Sequence, residues 1–371
     1  MNITHVVENL NRGGLERMVI ELVREQRARG DQCQVVCVYE AGALAPELAA
    51  LGVPVTSCGK RRGFDPRALL RLRRAVREHR AEVLHTHNAM AHYQAVLATL
   101  GLGTRCIVNS RHGMSSKRRA PRLEWFYRRA LARTDAVAAV CTAARDDAVA
   151  LGIVPGAKAR VVPNGIRVER FAPRTARMHA RLCAALGVAD TARVVGTVGR
   201  LTPIKDQACL LYAFAAVQRG LADAELVLVG DGPARASLQQ LAQQQGIAAH
   251  VHFLGDRGDV PELLQGFDVF VLSSRSEAYS LALLEASATA LPIVATDVGG
   301  NREIVHAGHT GKLVPAGDAV ALAQAMLVLL CDPVARSTFG TAARRWVEAH
   351  GTLAAMAMRY AALYANPAVQ P

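Results

Sequence analysis

The chain alternates short apolar runs with longer segments of helical periodicity. ITHVV at residues 3–7 precedes LERMVIELVREQRARG at 15–30, and CQVVCVY at 33–39 precedes LAPELAALG at 44–52. Short β-rich runs that alternate with helical segments are the signature of a parallel sheet. The alternation continues with VLHTH, CIVNSRHG and AVAAVC. The first half is therefore predicted to be a parallel α/β unit.

The same alternation recurs in the second half. VVGTVGR, ELVLVGDG, VHFLG, DVFVLSS and PIVATDVGG each combine an apolar core with turn residues at its end. Between the two halves, Pro163, Asn164, Gly165 and Pro173 interrupt regular structure, as expected of a connector. A second parallel unit is therefore predicted after this connector.

We accordingly predict an α/β protein with two Rossmann-like parallel-sheet domains facing across a cleft. The first domain is expected at 1–168 and the second at 174–349. A C-terminal tail at about 350–371 is expected to pack back on the first domain. A hinge near Asn164-Gly165 would allow the two domains to close on a ligand.

Length and composition agree with two globular domains. The chain has 371 residues, of which 51% are hydrophobic and 20% charged, and this length suits two cores better than one. No run approaches the roughly 20 apolar residues that span a bilayer, and the amino terminus MNITHVVENL has neither a basic patch nor a leader-like apolar run. We expect a cytoplasmic protein.

Eight cysteines are scattered along the chain without a CxxC pair, and most lie in apolar runs such as QVVCVY and AAVCTA. This distribution favours buried, reduced thiols over a disulfide framework or a zinc site. No metal site on cysteine is expected.

The positive net charge of +13 belongs entirely to the first half. Residues 1–170 hold 28 Lys and Arg against 15 Asp and Glu, whereas residues 171–371 hold 16 of each. The excess concentrates in KRRGFDPRALLRLRRAVREHR at 60–80 and in SSKRRAPRLEWFYRRALAR at 115–133, where aromatic residues interrupt the cations. Cations beside aromatics suit an anionic membrane surface, although an ordinary solvated helix face explains the first segment as well. Peripheral contact with the inner face of the cytoplasmic membrane is one hypothesis.

The segments after the strands hold the candidate chemistry, because ligands bind outside the carboxyl ends of parallel strands. Glu277 follows DVFVLSS, and Glu285 comes eight residues later, in a helix expected to start near Ser280. Such carboxylates can accept hydrogen bonds from sugar or ribose hydroxyls, while the backbone amides of Tyr279, Ser280 and Leu281 can face a phosphate. Taken alone, the spacing is better explained by two solvated glutamates.

Two further loops can bind a diphosphate. Arg200 and Lys205 lie between a strand and a helix, where fixed cations can neutralise phosphate charge, and the alternative is ordinary surface charge. Gly299 and Gly300 precede another predicted helix, so that their bare amides can approach phosphate oxygens, and the alternative is a plain turn.

Taken together, five motifs give the second half a specific resemblance. In order along the chain they are VGRLTPIKD, LVLVGDGPARASLQQLA, VHFLGD, EAYSLALLE and ATDVGGNREIV. This series resembles retaining glycosyltransferase family 4, also called glycosyl transferases group 1, which has the GT-B fold. NRGGLERMV at 11–19 extends the resemblance more loosely into the first half.

The resemblance implies roles for individual residues in donor binding. Arg200 and Lys205 would bind the diphosphate of a nucleotide-sugar, Glu277 would contact the transferred sugar, and Glu285 would hold the ribose. The sequence departs from the family pattern at Ala278-Tyr279, where Gly-Phe is more usual, which weakens any inference about the identity of the sugar. No metal or other cofactor is implied.

In the first half, Gly13 and Gly14 lie between the strand ITHVV and a helix, but they do not form GxGxxG and give little support to dinucleotide binding. By resemblance, this loop lies beneath the donor phosphate; the alternative is a simple turn. His85 and His87 mimic a metal pair without an evident third ligand, which favours structural histidines. By resemblance, His112 is the family's cleft histidine, which stabilises the transferring sugar.

The resemblance implies a metal-independent hexosyltransferase that retains the anomeric configuration and acts in cell-surface glycan biosynthesis. The donor is expected to be a nucleotide-sugar, with UDP as the working expectation and guanosine or adenosine still open. The acceptor is expected to be lipid-linked or a polysaccharide. The alternatives are a nucleotide-sugar epimerase of GT-B architecture, an inactive sugar-binding homologue, and a nucleic-acid-binding protein using the basic half. The last lacks any recognised nucleic-acid module, so no nucleic-acid partner is expected.

Overall fold

The computed structural model describes residues 1–11, 13–114 and 121–370, without the side chain of Pro121. The chain divides into two compact units. The first comprises Met1–Asn164 together with Leu353–Pro371, and the second comprises Gly165–Thr352. The chain thus passes from the first unit to the second at Asn164-Gly165.

In the described part of the first unit, seven parallel strands form one sheet in the order β3-β2-β1-β4-β5-β6-β7. The strands are β1 (Asn2–Val7), β2 (Gln32–Cys37), β3 (Val55–Ser57), β4 (Val83–His87), β5 (Cys106–Arg111), β6 (Ala136–Ala139) and β7 (Ala159–Val161). The helices that accompany them are α1 (Gly14–Ala28), α2 (Ala45–Ala49), α3 (Pro66–Glu78), α4 (Asn88–Ala98), α5 (Pro121–Ala130) and α6 (Thr142–Ala150). The strand order reverses direction between β1 and β4.

Residues 165–352 are all described, and they contain a second parallel sheet of six strands in the order β10-β9-β8-β11-β12-β13. Its strands are β8 (Arg193–Val198), β9 (Ala224–Val229), β10 (Val251–Gly255), β11 (Val269–Leu272), β12 (Ile293–Thr296) and β13 (Gly311–Val314). Its helices are α7 (Ala176–Leu186), α8 (Gln207–Gly220), α9 (Arg235–Gln244), α10 (Val260–Leu264), α11 (Leu281–Ala288), α12 (Asn301–Ile304), α13 (Ala319–Cys331) and α14 (Pro333–His350). The order reverses between β8 and β11. The predicted pair of parallel α/β sheets is confirmed.

Burial explains why the strands read as continuous apolar runs. Every residue of β9 and of β11 is buried, and in β1 only Asn2 is partly exposed. Helices cover the sheet faces; for example, α8 and α13 pack together beside the strands of the second unit around Phe214 and Met326. Strands buried on both faces have no polar side to alternate with.

The C-terminal helix α15 (Leu353–Ala365) belongs to the first unit and packs against α1. Tyr360 and Tyr364 are buried, and the Tyr364 hydroxyl accepts a hydrogen bond from Gln26 Nε2 at 3.1 Å. Beyond the helix, Arg160 Nη2 donates to the carbonyl of Ala368 at 2.6 Å. These contacts place the end of the chain on the first sheet.

No helix in the described ranges is by itself long and apolar enough to cross a membrane. The consecutive helices α13 and α14 reach that length and composition only when taken together, and they meet at an angle of 102°. Seven cysteines are buried and free, as expected, while Cys331 is exposed at the end of α13.

Candidate functional site

The predicted donor-binding residues of the second unit come from the ends of three neighbouring strands. Arg200 and Lys205 follow β8, Glu277 follows β11, and Gly299 and Gly300 follow β12. Because β11 pairs with both β8 and β12, the three loops leave one edge of the sheet side by side. The reversal of strand order between β8 and β11 opens the crevice in which doubly wound sheets bind their ligands.

Lys205 and Glu277 form a direct ion pair in this crevice. Lys205 Nζ donates to Glu277 Oε1 at 2.5 Å, and Ser274 Oγ donates to the same oxygen at 2.6 Å. The Glu277 side chain is 10% exposed and that of Lys205 is 26% exposed, so the pair is largely shielded from water. Both bonds use Oε1, which leaves Oε2 as an acceptor for a ligand hydroxyl, and the ammonium keeps two further N–H groups.

The loop that carries Lys205 is fixed to the end of β11. Ser273 Oγ donates to the carbonyl of Lys205 at 3.0 Å, and the amide of Arg275 donates to the carbonyl of Ile204 at 2.8 Å. The next residue, Asp206, is buried with a φ of +48° and accepts from Arg275 Nε at 2.7 Å. A strained backbone persists only where its surroundings determine it. The position of Lys205 is therefore set by two loops at once.

Gly299 brings the third loop into contact with the Glu277 loop. Its φ is +50°, and a Cβ at this position would collide with the carbonyl oxygen of Glu277. The amide of Gly300 donates to the carbonyl of Ala278 at 3.0 Å. Only glycine combines this backbone conformation with so close an approach. Gly300 is the N-cap of α12, so these glycines support Glu277 and also precede a helix, as predicted.

Helix α11 begins at Leu281, with Ser280 as its N-cap and Tyr279 buried before it. The prediction of a helix start near Ser280 is confirmed. The first amides of this helix carry the partial positive charge of its N-terminus. They follow Glu277 by only a few residues and therefore belong to the same crevice.

Glu285 lies in the middle of α11, and no hydrogen bond of its carboxylate is found among the described residues. Burial raises the pKa of this carboxyl to about 7, and the charge of Arg170 partly opposes the rise. A mostly buried carboxylate without a hydrogen-bond partner is costly, and ligand hydroxyls would satisfy it. Arg170, in the connector, was not singled out from the sequence because only folding brings it near Glu285.

Arg200 is exposed, and its carbonyl accepts from Gln207 Nε2 at 3.1 Å. No ion-pair partner of its guanidinium occurs among the described residues. A cation without an internal partner keeps its full capacity to bind an anion.

In the first unit, Gly13 and Gly14 follow β1, and α1 begins at Gly14 with Gly13 as its N-cap. The helix therefore starts one residue before the predicted Leu15. Residue 12, within the NRGGLERMV motif, lies outside the described residues. Since β1 borders the reversal of strand order in the first sheet, this loop lies at the corresponding crevice of its own unit.

His112 directly follows β5 and is joined to two buried histidines. Its Nε2 lies 3.0 Å from His87 Nδ1, and His87 Nε2 lies 3.1 Å from His5 Nδ1. Burial lowers the pKa of His112 and of His5 to about 4, and that of His87 well below its usual value. These imidazoles are therefore neutral at physiological pH.

The sequence shows no evident third ligand to accompany His85 and His87, but the structure adds a third histidine to the pair. His5 on the neighbouring strand β1 brings three histidines together, with ring nitrogens within 4.8 Å of one another. The parallel register pairs His5 with His85, and this pairing is invisible in the sequence because 80 positions separate the two residues. All three histidines are buried, and protein groups occupy their ring nitrogens, which agrees with a structural role for the pair.

The predicted basic and aromatic surface is only partly described, because residues 115–120, including Lys117, Arg118 and Arg119, lie outside the described residues. In α5, Trp125 is 54% and Phe126 is 47% exposed. The Arg129 guanidinium lies 5.1 Å from the centre of the Trp125 ring. Exposed Leu97 of α4 lines a shallow cavity with Phe126 and Arg129, and the Trp125 ring packs edge-on against Phe126, so that an apolar surface has cations beside it.

Comparisons with known proteins agree with this architecture. Residues 192–332 match the model described as glycosyl transferases group 1, and residues 12–170 match that of glycosyltransferase family 4. The chain is 34% identical over 303 residues to a GDP-mannose-dependent alpha-(1-6)-phosphatidylinositol monomannoside mannosyltransferase of Mycolicibacterium smegmatis, covering 76% of each chain. It is 29% identical over 280 residues to the UDP-Gal:alpha-D-GlcNAc-diphosphoundecaprenol alpha-1,3-galactosyltransferase of Escherichia coli, covering 73% of this chain and 72% of that one.

Among solved structures, the fold is similar to that of Anabaena Alr3699/HepE in complex with UDP. The TM-score is 0.88 at 22% identity, and the match covers 98% of this chain and 100% of the other. The two parallel sheets of the described residues, together with this similarity, identify the GT-B fold. On the strength of the family models and the relatives together, this chain belongs to glycosyltransferase family 4 and is a glycosyltransferase of the GT-B type.

Proposed function

We propose that this enzyme transfers a hexose from a UDP-sugar to a lipid-linked or polysaccharide acceptor, with retention of the anomeric configuration and without a metal ion. The observation that carries the proposal is the Lys205–Glu277 ion pair at the point where the second sheet reverses its strand order. The membership of the family supports a transferase over the epimerase and nucleic-acid-binding alternatives.

The donor diphosphate binds between Arg200 and Lys205 in this proposal. Arg200 has no internal ion-pair partner among the described residues, and Lys205 keeps two N–H groups after binding Glu277. The amides at the start of α11 and the Gly299-Gly300 loop add partial positive charge. Fixed cations of this kind can stabilise a departing diphosphate in place of a divalent metal.

Glu277 and Glu285 hold the two sugars of the donor. Glu277 keeps Oε2 for a hydroxyl of the transferred sugar, while Lys205 and Ser274 fix its other oxygen. Glu285, whose carboxylate has no hydrogen-bond partner among the described residues, accepts the ribose hydroxyls. By the family resemblance, His112 contacts the transferred sugar and Gly13-Gly14 approaches the donor phosphate.

Retention is proposed because the residues around Glu277 and Glu285 match the family pattern. As the bond from the anomeric carbon to the diphosphate oxygen breaks, positive charge develops on the sugar and negative charge on the diphosphate. The acceptor oxygen then bonds to the same face of the anomeric carbon, and its proton passes to the departing phosphate. The departing phosphate thus takes both the electron pair of the broken bond and the acceptor's proton, and no covalent enzyme intermediate is needed.

The acceptor and the cellular location are proposed from charge and from the relatives. The relatives from M. smegmatis and E. coli act, by their names, on a phosphatidylinositol and on a diphosphoundecaprenol acceptor. The basic first half of this chain and the exposed Trp125 and Phe126 suit the same kind of surface. We therefore place the enzyme in the cytoplasm, in peripheral contact with the inner face of the cytoplasmic membrane.

A panel of nucleotide-sugars tests the donor. The purified enzyme is incubated with UDP-, GDP- and ADP-hexoses, and the released nucleoside diphosphate is measured with and without EDTA. Without an acceptor, hydrolysis of the donor should be slow in every case. We expect it to be fastest with a UDP-sugar, and EDTA should not change its rate. Preference for GDP or ADP donors, or loss of activity in EDTA that added metal restores, would contradict the corresponding part of the proposal.

Product stereochemistry tests the mechanism. Once an acceptor is found in extracts of lipid-linked sugars, the anomeric proton of the product is compared with that of the donor by NMR. The same anomer is expected in both. Formation of the opposite anomer would exclude retention, and conversion of the donor to an isomeric sugar nucleotide without acceptor would revive the epimerase alternative.

A further inference from the structure

A chain of hydrogen bonds runs through the buried interior of the first unit to His112. It starts at Gln26 in α1, whose Oε1 lies 2.8 Å from His5 Nε2. From His5 it passes through His87 to His112, with contacts of 3.1 and 3.0 Å. Gln26, His5 and His87 are each at most 2% exposed, so water does not exchange freely with these groups.

The orientation of the Gln26 amide gives this chain a direction. Cys33 Sγ donates to Gln26 Oε1 at 3.8 Å, and Gln26 Nε2 donates to the Tyr364 hydroxyl at 3.1 Å. Burial raises the pKa of the Cys33 thiol to about 12, which keeps this thiol protonated and able to donate. The amide oxygen therefore faces Cys33 and His5, and an amide oxygen only accepts.

Because the Gln26 amide oxygen can only accept, it determines which nitrogen carries the proton in each histidine ring of the chain. His5 donates from Nε2 to Gln26, so neutral His5 has a bare Nδ1, which accepts from His87 Nε2–H. Neutral His87 then has a bare Nδ1, which accepts from His112 Nε2–H. A neutral imidazole carries one proton, so the remaining nitrogen of His112, Nδ1, is unprotonated. No hydrogen-bond partner of that nitrogen occurs among the described residues.

The amide nitrogen of Gln26 orders a second chain in the same way. The Tyr364 hydroxyl accepts from Gln26 and so donates to His85 Nδ1 at 2.7 Å. Neutral His85 then donates from Nε2 to Ser110 Oγ at 2.7 Å, and Ser110 lies 2.7 Å from the Tyr360 hydroxyl. Reversing the Gln26 amide would reverse both chains at once. Both chains therefore depend on the same amide. Protein groups also occupy every ring nitrogen of His5, His85 and His87. These two facts argue for a hydrogen-bond relay rather than a metal centre.

We propose that Gln26, acting through His5 and His87, holds His112 in its Nε2–H tautomer and thereby presents His112 Nδ1 as a hydrogen-bond acceptor for a hydroxyl of the bound sugar. The assignment of that hydroxyl to the sugar rests on the proposed function, whereas the tautomer does not. Gln26, His5 and His87 are positioning residues that act through His112. In the opposite tautomer, His112 would present Nδ1–H as a hydrogen-bond donor. It would then disfavour a sugar hydroxyl that points its own hydrogen at Nδ1.

The tautomer can be measured without any substrate. The full-length protein is labelled with 15N in its histidines, and long-range 1H–15N spectra at neutral pH show which nitrogen of each ring carries the proton; the His112→Gln spectrum assigns the His112 signals. We expect His112 with Nε2 protonated and Nδ1 bare. A protonated Nδ1, alone or in an imidazolium, would overturn the proposal.

Gln26→Leu removes the acceptor that sets the direction of the chain. In this variant, we expect an Nδ1–H form of His112 to become populated. As a matched control, His92→Leu removes a histidine that is equally buried and bonded through both nitrogens, to Thr86 and Thr134, but lies outside the chain. The control should leave the His112 signals unchanged. Unchanged signals in folded Gln26→Leu would refute the control of His112 by Gln26.

Kinetics then separate the relay from a merely structural role. His87→Gln retains one donor and one acceptor, whereas His87→Leu retains neither. We expect His87→Leu to lower kcat/KM by roughly tenfold, the effect of one hydrogen bond, and His87→Gln to recover most of the loss. Equal kinetics in folded His87→Leu and wild type would contradict the proposal. A wild-type protein with the expected tautomer but no transferase activity would instead contradict the proposed function alone.

Discussion

Lys205 Nζ lies 2.5 Å from Glu277 Oε1, joining the loop after β8 to the loop after β11. The pair unites two residues that the family resemblance relates to different parts of the donor, the diphosphate and the transferred sugar. A shielded ammonium and a carboxylate stabilise each other in the absence of ligand. In the proposed donor site, the same ammonium would contact the diphosphate as well as Glu277, so the pair would link charge on the leaving group to the position of the sugar.

Removing either partner should therefore have different consequences. Lys205→Ala is expected to weaken UDP binding by at least about tenfold, because a phosphate-binding cation is lost. Glu277→Ala is expected to leave UDP affinity unchanged or slightly stronger, since it frees Lys205, while kcat falls by about 100-fold or more. Calorimetry with UDP and initial rates with the preferred donor measure the two effects. Lys312→Ala, a partly buried lysine of β13 in the same unit, is the control and should change neither.

The outcome distinguishes a donor site from a structural ion pair. If the pair served stability alone, both substitutions would lower the melting temperature while UDP affinity stayed as in wild type. Full activity in folded Lys205→Ala and Glu277→Ala proteins would exclude the proposed donor site.

Gly299→Ala should disturb the site more than its size suggests. The added Cβ meets the carbonyl oxygen of Glu277, and the φ of +50° is unfavourable for alanine. Gly187→Ala is the matched control, because Gly187 also has a positive φ, of +73°, but has open space around its Cβ position. We expect Gly187→Ala to cost about 1–2 kcal/mol of stability from backbone strain. Gly299→Ala should cost more than this in thermal unfolding and should also reduce kcat. Equal losses in both variants would show that contact with Glu277 is unimportant.

The sequence was sufficient to predict both sheets. Strands that are buried on both faces consist mostly of apolar residues, and such runs can be recognised without knowing how the strands pair. It also placed Arg200, Lys205, Glu277 and Gly299 at strand ends, where the topology brings them to one edge. Their direct partners were harder to predict. The Lys205–Glu277 bond depends on how three loops pack, and the sequence contains no local signal for it.

The histidines show the same limit more clearly. His85 and His87 lie close together in the sequence, whereas His5 joins them only through the register of β1 against β4. Gln26 reaches His5 only because α1 packs over that sheet. Hydrogen bonds between side chains of distant strands depend on tertiary geometry, and periodicity cannot specify it.

Membrane contact, proposed from charge and exposed aromatics, can be tested with paired substitutions. Trp125→Ser with Phe126→Ser removes two exposed aromatic rings from α5, and we expect binding to vesicles containing anionic lipid to fall by roughly tenfold or more, since each ring buries substantial apolar area. Tyr212→Ser, an aromatic residue that is 49% exposed in the second unit, is the control. Sedimentation with anionic and with neutral vesicles measures binding. Equal binding of wild type to both kinds of vesicle, or to neither, would exclude an anionic surface.

The Glu285 carboxylate should lower the stability of the folded protein, and the size of this effect should depend on pH. Burial raises the pKa of its carboxyl from the ordinary value of 4.5 to about 7. Below pH 4.5 the group is protonated in the folded and the unfolded protein, and it affects stability little. Above pH 7 it is ionised in both, and the folded protein bears the cost of the buried charge, up to about 3 kcal/mol. Glu285→Gln should therefore unfold at a higher temperature than wild type at pH 8.5 and at nearly the same temperature at pH 4.

The same charge should strengthen binding of the ribose. Because hydroxyl donors favour the carboxylate, donor binding near pH 6.5 should release a proton from wild type and none from Glu285→Gln. A UDP-sugar is used rather than UDP, since its diphosphate diester does not itself titrate near neutral pH. Calorimetry in buffers of different ionisation enthalpy counts the protons, and the affinity of Glu285→Gln at pH 8 should be lower by roughly tenfold, the effect of one charge-assisted hydrogen bond. If the variant is more stable at pH 8.5 and yet binds the donor as tightly as wild type, Glu285 is buried for a reason other than the ribose.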